Sequence, residues 1–227
     1  MPNLLIGDSH CRLLNTNINN CEELLCSAGS AKGLNNKSSI SNYHNIIIEK
    51  INDSTIYYET LIFMFGGVDM DFCYFHKLLQ NPELNLYEFI DPVINNYVNF
   101  IVENFGDKKV IILSVGLPTL DDEHLKQGLL NEHINSLENK NIETMKYSLD
   151  NILLPDIYTR TYNTIIMNFH LKDIIEKKNN PNIQFLDVTS FTYDEEKGRI
   201  KDEFFTSFDH HNYDRNYMIG RIINASL

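Results

Sequence analysis

The N-terminal segment of the chain reads NLLIGDSH over residues 3–10. Its apolar residues are contiguous and end at Gly7, as is typical of a parallel strand that is buried on both faces of a sheet. Because open α/β sheets bind their ligands just beyond the carboxyl ends of such strands, the segment predicts an exposed hydroxyl, that of Ser9, at a binding site. Asp8 and Ser9 also suit the N-cap of a following helix, since their side-chain oxygens accept hydrogen bonds from its first N–H groups.

The size and charge of the chain restrict its class. With 227 residues, of which 43% are hydrophobic, it is long enough for one large α/β domain or at most two small ones. The net charge of −12 and the pI near 5.0 argue against binding to nucleic acid or to anionic membrane surfaces. We expect no transmembrane segment and no secretory signal, because the sequence has neither a long apolar stretch nor a basic leader. The four cysteines lack C-x-x-C or metal-site spacing, so we expect reduced thiols in a cytoplasmic protein.

Apolar runs and helical periodicities alternate along the rest of the chain, as is typical of a parallel sheet with helices on both faces. Strands are predicted at residues 3–7, 45–49, 60–65, 109–115 and 182–188. Helices are predicted at residues 72–79, 91–105, 158–177 and from about residue 214. In the last two helices the spacing places large side chains on the buried face: Tyr162, Ile165, Ile166, Phe169, Leu171, Ile174 and Ile175 in the first, and Tyr217, Met218, Ile219, Ile222 and Ile223 in the second. Residues 121–155 are less regular, and we expect exposed helices or a lid over the edge of the site.

The residues Gly7 to His10, placed directly after an N-terminal strand, resemble the first sequence block of the SGNH (GDSL-type) hydrolase superfamily, in a GDSH form. The resemblance spans residues 3–223. It implies a single domain over residues 1–227, with a three-layer α/β/α, flavodoxin-like fold around a five-stranded parallel sheet. It also implies that Ser9 is the nucleophile and that the reaction needs no metal and no organic cofactor.

A stretch of small residues over positions 26–34 reads CSAGSAKGL. Glycines in such a stretch let the backbone approach a ligand closely. In the family the second block contributes a glycine whose backbone N–H serves the oxyanion hole. The resemblance therefore implies this role for Gly29 or Gly33, and the spacing does not choose between them. Each glycine would equally suit an ordinary turn.

The third block of the family is Gly-x-Asn-Asp, and the matching segment reads GGVD over residues 66–69. The valine cannot donate the side-chain N–H that the asparagine gives to the oxyanion, and loss of one such donor typically costs ~10²–10³ in turnover. Either other donors replace it, such as the N–H of Gly67 or of the preceding glycine stretch, or the domain is a weak or inactive relative. The resemblance implies that Asp69 holds the Ser9 segment, and a helix N-cap is the alternative role.

The fifth block of the family is Asp-x-x-His, shortly before the last helix, and the chain reads FDHHNYD at residues 208–214. The resemblance implies that His211 or His210 is the general base, with a slight preference for His211, and that Asp209 orients it. Asp209 does not have the family's spacing, so a Ser–His dyad held by a backbone carbonyl is the alternative. Paired histidines would also suit helix capping or a metal site, although zinc sites need three or four ligands.

These residues together predict a serine esterase or O-acyltransferase that acts on small or carbohydrate O-acyl esters, with an acetyl ester as the expected substrate. Ser9 would attack the ester carbonyl while a histidine takes its proton. A catalytically weak or silent domain that binds glycans or protein partners is the second hypothesis, because of the valine in the third block. A nucleotide- or phosphate-binding flavodoxin-like protein is disfavoured, since the first turn carries Asp8 and no phosphate-binding glycine motif.

Overall fold

The computed structural model of the chain describes residues 1–53, 55–130, 154–205 and 213–227. Its strands are β1 (Asn3–Gly7), β2 (Cys21–Leu25), β3 (Leu61–Met64), β4 (Val110–Leu113), β5 (Ile183–Leu186), β6 (Tyr193–Asp194) and β7 (Arg199–Ile200). Its helices are α1 (Tyr43–Asn52), α2 (Tyr74–Gln80), α3 (Leu86–Phe105), α4 (Asp122–Leu129), α5 (Ile157–Lys178) and α6 (Tyr213–Asn224). A 3₁₀ turn covers Ser9–Cys11, and a wider π-type turn covers Asp69–Cys73.

The first five strands form one parallel sheet in the order β2-β1-β3-β4-β5. β1 lies between β2 and β3, with Leu5 opposite Glu23 on one side and opposite Ile62 on the other. This is the flavodoxin-like order, in which ligands bind at the carboxyl edge between β1 and β3, where the direction of strand addition reverses. The segments at residues 7–10 and 66–69 follow these two strands, so the fold brings them to the expected edge.

The side chains of the sheet alternate between two separate cores. Leu4 and Phe63 point to the layer formed by α1, α3 and α5. Leu5 and Ile62 point to the opposite layer, where α6 packs together with the turns that follow β1. Because successive side chains of a strand lie on opposite faces, both must be apolar, which is why these strands read as continuous runs. The predicted three-layer α/β/α arrangement is confirmed. Among the helices described, none combines the length and the apolar character required to span a bilayer.

Four of the predicted strands are confirmed as β1, β3, β4 and β5, but the strand predicted at residues 45–49 is wrong. That segment lies inside α1, where Ile47 and Ile51 are buried on one side of the helix and Ile46 is exposed. A short run of isoleucines does not by itself separate a strand from a helix. The remaining strand of the sheet is β2, an edge strand whose half-buried sequence CEELL has no apolar run to reveal it.

The start of α3 also differs from the prediction. The helix begins at Leu86 rather than at Asp91, because the side chain of Asn85 caps it by accepting the N–H of Tyr87 at 2.8 Å. Pro92 therefore lies inside α3 and not in its first turn. An Asn cap satisfies one of the unpaired N–H groups at a helix start. Asn85 comes before the apolar periodicity on which the prediction relied, so the prediction placed the start of the helix too late.

Four of the side chains predicted to face inward on α5 and α6 are exposed instead: Tyr162, Phe169, Tyr217 and Met218. α5 buries Thr161 and Thr164, whose hydroxyls donate to backbone carbonyls four residues earlier at 2.8 and 3.0 Å. Such bonds satisfy the hydroxyls within the helix, so threonine can occupy a buried face that apolar periodicity does not mark. Leu171 and Ile175 of α5 and Ile219 and Ile223 of α6 are buried as predicted. The polar residues Arg215 and Asn216 of α6 are buried as well.

The irregular stretch at residues 121–155 contains α4, which covers its first part. Asp121 caps this helix by accepting the N–H of His124 at 2.8 Å, and Leu125 anchors it in the larger core. Residues 131–153 lie outside the described residues, so the lid remains a prediction.

Candidate active site

Ser9 lies at the carboxyl end of β1, as the first residue of the 3₁₀ turn Ser9–Cys11. Asp8 caps this turn, since its carboxylate accepts the backbone N–H of His10 at 2.9 Å. Ser9 is partly exposed, whereas its neighbours Gly7, Asp8 and His10 are buried. The cap and the exposed hydroxyl are thus two aspects of one local structure. As the first residue of a helical turn, Ser9 has an N–H for which that turn supplies no acceptor.

Two carboxylates hold the side chain of His10 from opposite sides. Its Nδ1 lies 2.8 Å from Oδ1 of Asp8, and its Nε2 lies 3.0 Å from Oδ2 of Asp71. All three side chains are buried. We call this group the Asp–His–Asp clamp (Asp8, His10 and Asp71). It joins the turn after β1 to the π-type turn after β3, and so crosses the point at which open sheets bind ligands.

The clamp holds His10 as an imidazolium. An ionised carboxylate only accepts hydrogen bonds, so both ring nitrogens must carry a proton. Burial alone would lower the pKa of His10, but the charges and hydrogen bonds of Asp8 and Asp71 outweigh it and raise the pKa from 6.5 to about 10. His10 therefore carries a positive charge at neutral pH and is not available there as a general base.

The sequence alone does not reveal the clamp, because His10 and Asp71 are separated by 61 residues. The available signal was a second aspartate two positions after Asp69, in the segment that follows a buried strand. The direction of the Asp71 side chain depends on the turn, because a π-type turn closes i→i+5 hydrogen bonds and is wider than a regular helix. Here the N–H of Tyr74 donates to the carbonyl of Asp69 and closes such a turn.

Gly67 packs directly against the ring of His10. A Cβ at this glycine would lie 2.3 Å from Nδ1 and 2.5 Å from Cγ of the ring, so no larger residue fits while the ring stays in place. Gly67 begins the helical segment after β3, and its N–H therefore also has no acceptor within that segment. Gly66 precedes it with a φ of +110°, which only glycine adopts readily.

Asp69 does not hold the Ser9 segment, contrary to the prediction. Its buried carboxylate accepts the backbone N–H of Ala31 at 2.6 Å and that of Lys32 at 3.4 Å, and so holds the second glycine stretch. Burial raises the pKa of Asp69 to about 7, although these N–H groups oppose the shift. The Ser9 segment is joined to the third segment by Asp8 instead, whose Oδ2 accepts the N–H of Val68 at 3.4 Å.

The two glycines predicted as oxyanion donors use their N–H groups inside their own turns. The N–H of Gly29 donates to the carbonyl of Cys26 at 2.8 Å. The N–H of Gly33 donates to the carbonyl and to the hydroxyl of Ser30, both at 3.0 Å. This arrangement does not support Gly29 or Gly33 as donors and favours the N–H groups of Ser9 and Gly67 at the sheet edge.

Arg215 brings the last helix to the same edge. Its guanidinium is buried beside Gly116 and donates from Nη1 to the carbonyl of Leu117 at 3.4 Å. Burial lowers the pKa of Arg215 to about 10, and the charges of Asp71 and Asp8 oppose that shift. The clamp carboxylates are thus influenced by a second buried cation from α6.

The predicted base residues, His210 and His211, and their predicted partner Asp209 lie outside the described residues. They precede α6 directly in the chain, and Arg215 in the first turn of α6 lies near the clamp. Their roles in the reaction stay predictions.

The loop after β4 is held by a buried amide of α5. The N–H of Val115 donates to Oδ1 of Asn168 at 2.7 Å, and Nδ2 of Asn168 donates to the carbonyl of Val115 at 2.9 Å. This pair of bonds satisfies buried backbone groups that have left the sheet. It fixes the loop that leads to Gly116 and Leu117, where Arg215 binds.

No protein-family model and no curated protein sequence matches the chain. Solved structures do match it. A member of the lipolytic G-D-S-L family from Veillonella parvula is 14% identical with a TM-score of 0.51, over 98% of this chain and 95% of that one. A carbohydrate acetylesterase from Sinorhizobium meliloti is 12% identical with a TM-score of 0.51, over 100% and 98%. A carbohydrate esterase family 3 protein from Talaromyces cellulolyticus is 12% identical with a TM-score of 0.50, over 100% and 96%.

These likenesses extend over nearly the whole chain and agree with the observed strand order. The chain has the fold of the SGNH-type hydrolases. The predicted fold class is confirmed, and the structural neighbours named above include esterases. At these identities the likeness establishes the fold, and the reaction has to be inferred from the site.

Proposed function

We propose that this protein is a carboxylic ester hydrolase or O-acyltransferase with Ser9 as its nucleophile. The observation that carries the proposal is the position of Ser9, a partly exposed hydroxyl between buried residues at the β1–β3 edge of an SGNH-type fold. Nucleophilic serine needs access to the substrate, a base and nearby donors for the oxyanion. Ser9 is accessible at this edge, and we propose the N–H groups of Ser9 and Gly67 as the donors.

In this mechanism the Ser9 hydroxyl attacks the ester carbonyl while a histidine takes its proton. His211 or His210 fills that role, oriented by Asp209 or by a backbone carbonyl. The N–H groups of Ser9 and Gly67 hold the negative oxygen of the tetrahedral intermediate. The alcohol leaves with the proton from the histidine, and water or a second alcohol then releases the acyl group from Ser9.

The substrate class follows from the neighbours and from the charge of the chain. Two of the similar structures are carbohydrate esterases by name. We therefore propose small or carbohydrate O-acyl esters, with acetyl esters first, as the substrates. The net charge of −12 disfavours anionic lipid surfaces as the place of reaction. We also propose a cytoplasmic location, in keeping with cysteines that have no paired spacing.

A second candidate is a weak or silent domain that binds glycans or protein partners. It is favoured by Val68, which is buried and has no side-chain donor where the family carries asparagine. The two candidates differ in whether Ser9 reacts. A fluorophosphonate probe labels an activated serine and leaves a silent domain unlabelled.

The test combines that probe with hydrolysis of p-nitrophenyl acetate. We expect labelling and turnover in the wild type, loss of both in Ser9→Ala, and loss of turnover in one of His210→Ala and His211→Ala. Ser27→Ala is the matched serine control, because Ser27 is exposed and follows β2 at the same sheet edge. His124→Ala is the matched histidine control, since its Nδ1 lies 2.8 Å from Oδ1 of Asp121 and bonds no carboxylate of the clamp. Equal labelling of wild type and Ser9→Ala would reject the enzyme and leave the binding domain.

A further inference from the structure

Val68 creates a specific problem for the proposed reaction. It is buried, and its only polar group near the site, the backbone N–H, donates to Asp8 at 3.4 Å. Among the described residues, the backbone N–H groups of Ser9 and Gly67 lie at this edge without an acceptor in their own turns, so they are the candidate donors for an oxyanion. Such donors act well only when the backbone is already held in the geometry that the transition state needs.

The ring of His10 is placed to hold that backbone. It is one residue from Ser9 in sequence, and its atoms fill the space where a Cβ of Gly67 would lie, 2.3 to 2.7 Å away. Its Nδ1 and Nε2 bond Asp8 and Asp71, one on each side of the β1–β3 edge. The ring therefore touches or bonds both segments that carry the candidate donors.

In the described part of the chain, three elements place charges around the ring. Asp8 follows β1, Asp71 lies in the π-type turn after β3, and Arg215 comes from α6. The two carboxylates thus face two buried basic side chains, those of His10 and Arg215. Loss of one cation from a buried group of this kind is costly, since charges interact strongly at low dielectric and the carboxylates lose part of their compensation. The clamp is thus a rigid support.

We propose that His10 is a positioning residue, which holds the N–H groups of Ser9 and Gly67 as a backbone-only oxyanion hole and so compensates for the asparagine that Val68 replaces. This inference rests on the proposed function. His10 acts through the backbone and does not touch the substrate. Its loss should therefore slow the chemical step and leave ground-state binding nearly unchanged.

The kinetic test uses His10→Gln, which keeps a polar side chain without the charge or the ring. We expect kcat on p-nitrophenyl acetate to fall about 10²-fold, as for loss of an oxyanion donor, and KM to change less than about threefold. Val68→Asn restores a side-chain donor, so it should recover about tenfold or more in the His10→Gln background and much less in the wild type. Asp71→Asn, which keeps the shape of the clamp, should lower kcat in the same direction if His10→Gln does not fold.

The matched control is His44→Gln. His44 is buried like His10, and its Nδ1 bonds the carbonyl of Leu34 at 2.7 Å, outside the clamp. It should lower stability without lowering kcat of the folded protein. An equal loss of kcat in both variants, or unchanged kcat in His10→Gln, would overturn the positioning role.

A second readout does not depend on turnover. In a ¹H–¹⁵N NMR spectrum of the histidine rings, the signal that His10→Gln removes should show both ring nitrogens protonated from about pH 6 to about pH 9. A neutral His10 in that range would overturn the inference and leave the esterase proposal standing. Absence of Ser9-dependent turnover in the wild type would instead reject the proposed function, and the role of His10 in it, whatever the NMR spectrum shows.

Discussion

Replacement of Gly67 by alanine would put a methyl group into the space that the His10 ring occupies. A Cβ at this position lies 2.3 Å from Nδ1, 2.5 Å from Cγ and 2.7 Å from Cε1 of the ring. The ring can move away only by lengthening its hydrogen bonds to Asp8 and Asp71, which measure 2.8 and 3.0 Å. The substitution therefore disturbs the packing and a buried charged network at the same time.

The expected cost has two parts. Overpacking a closed region costs roughly 1–3 kcal/mol. Weakening the bonds of a buried charged group adds roughly 1–3 kcal/mol. We expect Gly67→Ala to lower the free energy of unfolding by about 4 kcal/mol, the middle of the summed range. Urea unfolding followed by far-UV circular dichroism measures this, and it needs no tryptophan, which the chain lacks.

Gly198→Ala is the matched control. Gly198 has a φ of +64°, and a Cβ there would meet no atom within 4 Å in the described part of the chain. Its cost is the backbone strain of a left-handed residue, about 1 kcal/mol. In a His10→Ala background the ring is absent, so Gly67→Ala should cost far less than in the wild type. A Gly67→Ala protein within about 1 kcal/mol of the wild type would refute the close packing of ring and glycine.

Two further predictions concern the clamp and the loop after β4. Burial lowers the pKa of His10 in the folded protein, but Asp8 and Asp71 outweigh burial and raise this pKa from 6.5 to about 10. The stability that the charged His10 contributes is therefore complete below pH 6.5 and is lost as the pH rises towards 10. Urea titrations across this range should show the loss in the wild type and a smaller loss in Asp71→Asn; equal losses would contradict the clamp. Asn168→Leu should lower the free energy of unfolding by about 2–4 kcal/mol, because it leaves the N–H and the carbonyl of Val115 unpaired. Asn95→Ala, at a half-buried position on α3, should cost less than about 0.5 kcal/mol, and a similar cost for both variants would show that the buried amide is unimportant.

The sequence predicted correctly those strands that are buried on both faces of the sheet. β1, β3 and β4 are buried on both faces, and their apolar runs therefore identified them at the right places. The edge strand β2 has no such run, because one of its sides has no partner strand and its residues are only half-buried. The prediction instead assigned a strand to the isoleucines of α1, since a run of five residues fits both the period of a strand and that of a helix.

The candidate site was accessible in part. Ser9 and the segment at residues 66–69 were placed correctly, because both follow a recognisable strand and parallel strands end at one edge. The predicted partner of Asp69 was wrong. A carboxylate that lies between two loops can accept hydrogen bonds from either loop, and only the folded structure shows that Asp69 bonds Ala31 and Lys32 rather than the Ser9 segment.

Local pattern was therefore enough for four of the five strands of the sheet, for the three-layer class and for the position of a partly exposed serine at a strand end. Those features depend on periodic burial and on turn chemistry, which a few neighbouring residues express. The Asp–His–Asp clamp needed the folded sheet. His10 and Asp71 are 61 residues apart, and their pairing depends on the register of β1 against β3 and on one wide turn. The charge of a buried histidine is set by which groups surround it, and those groups come together only when distant segments pack.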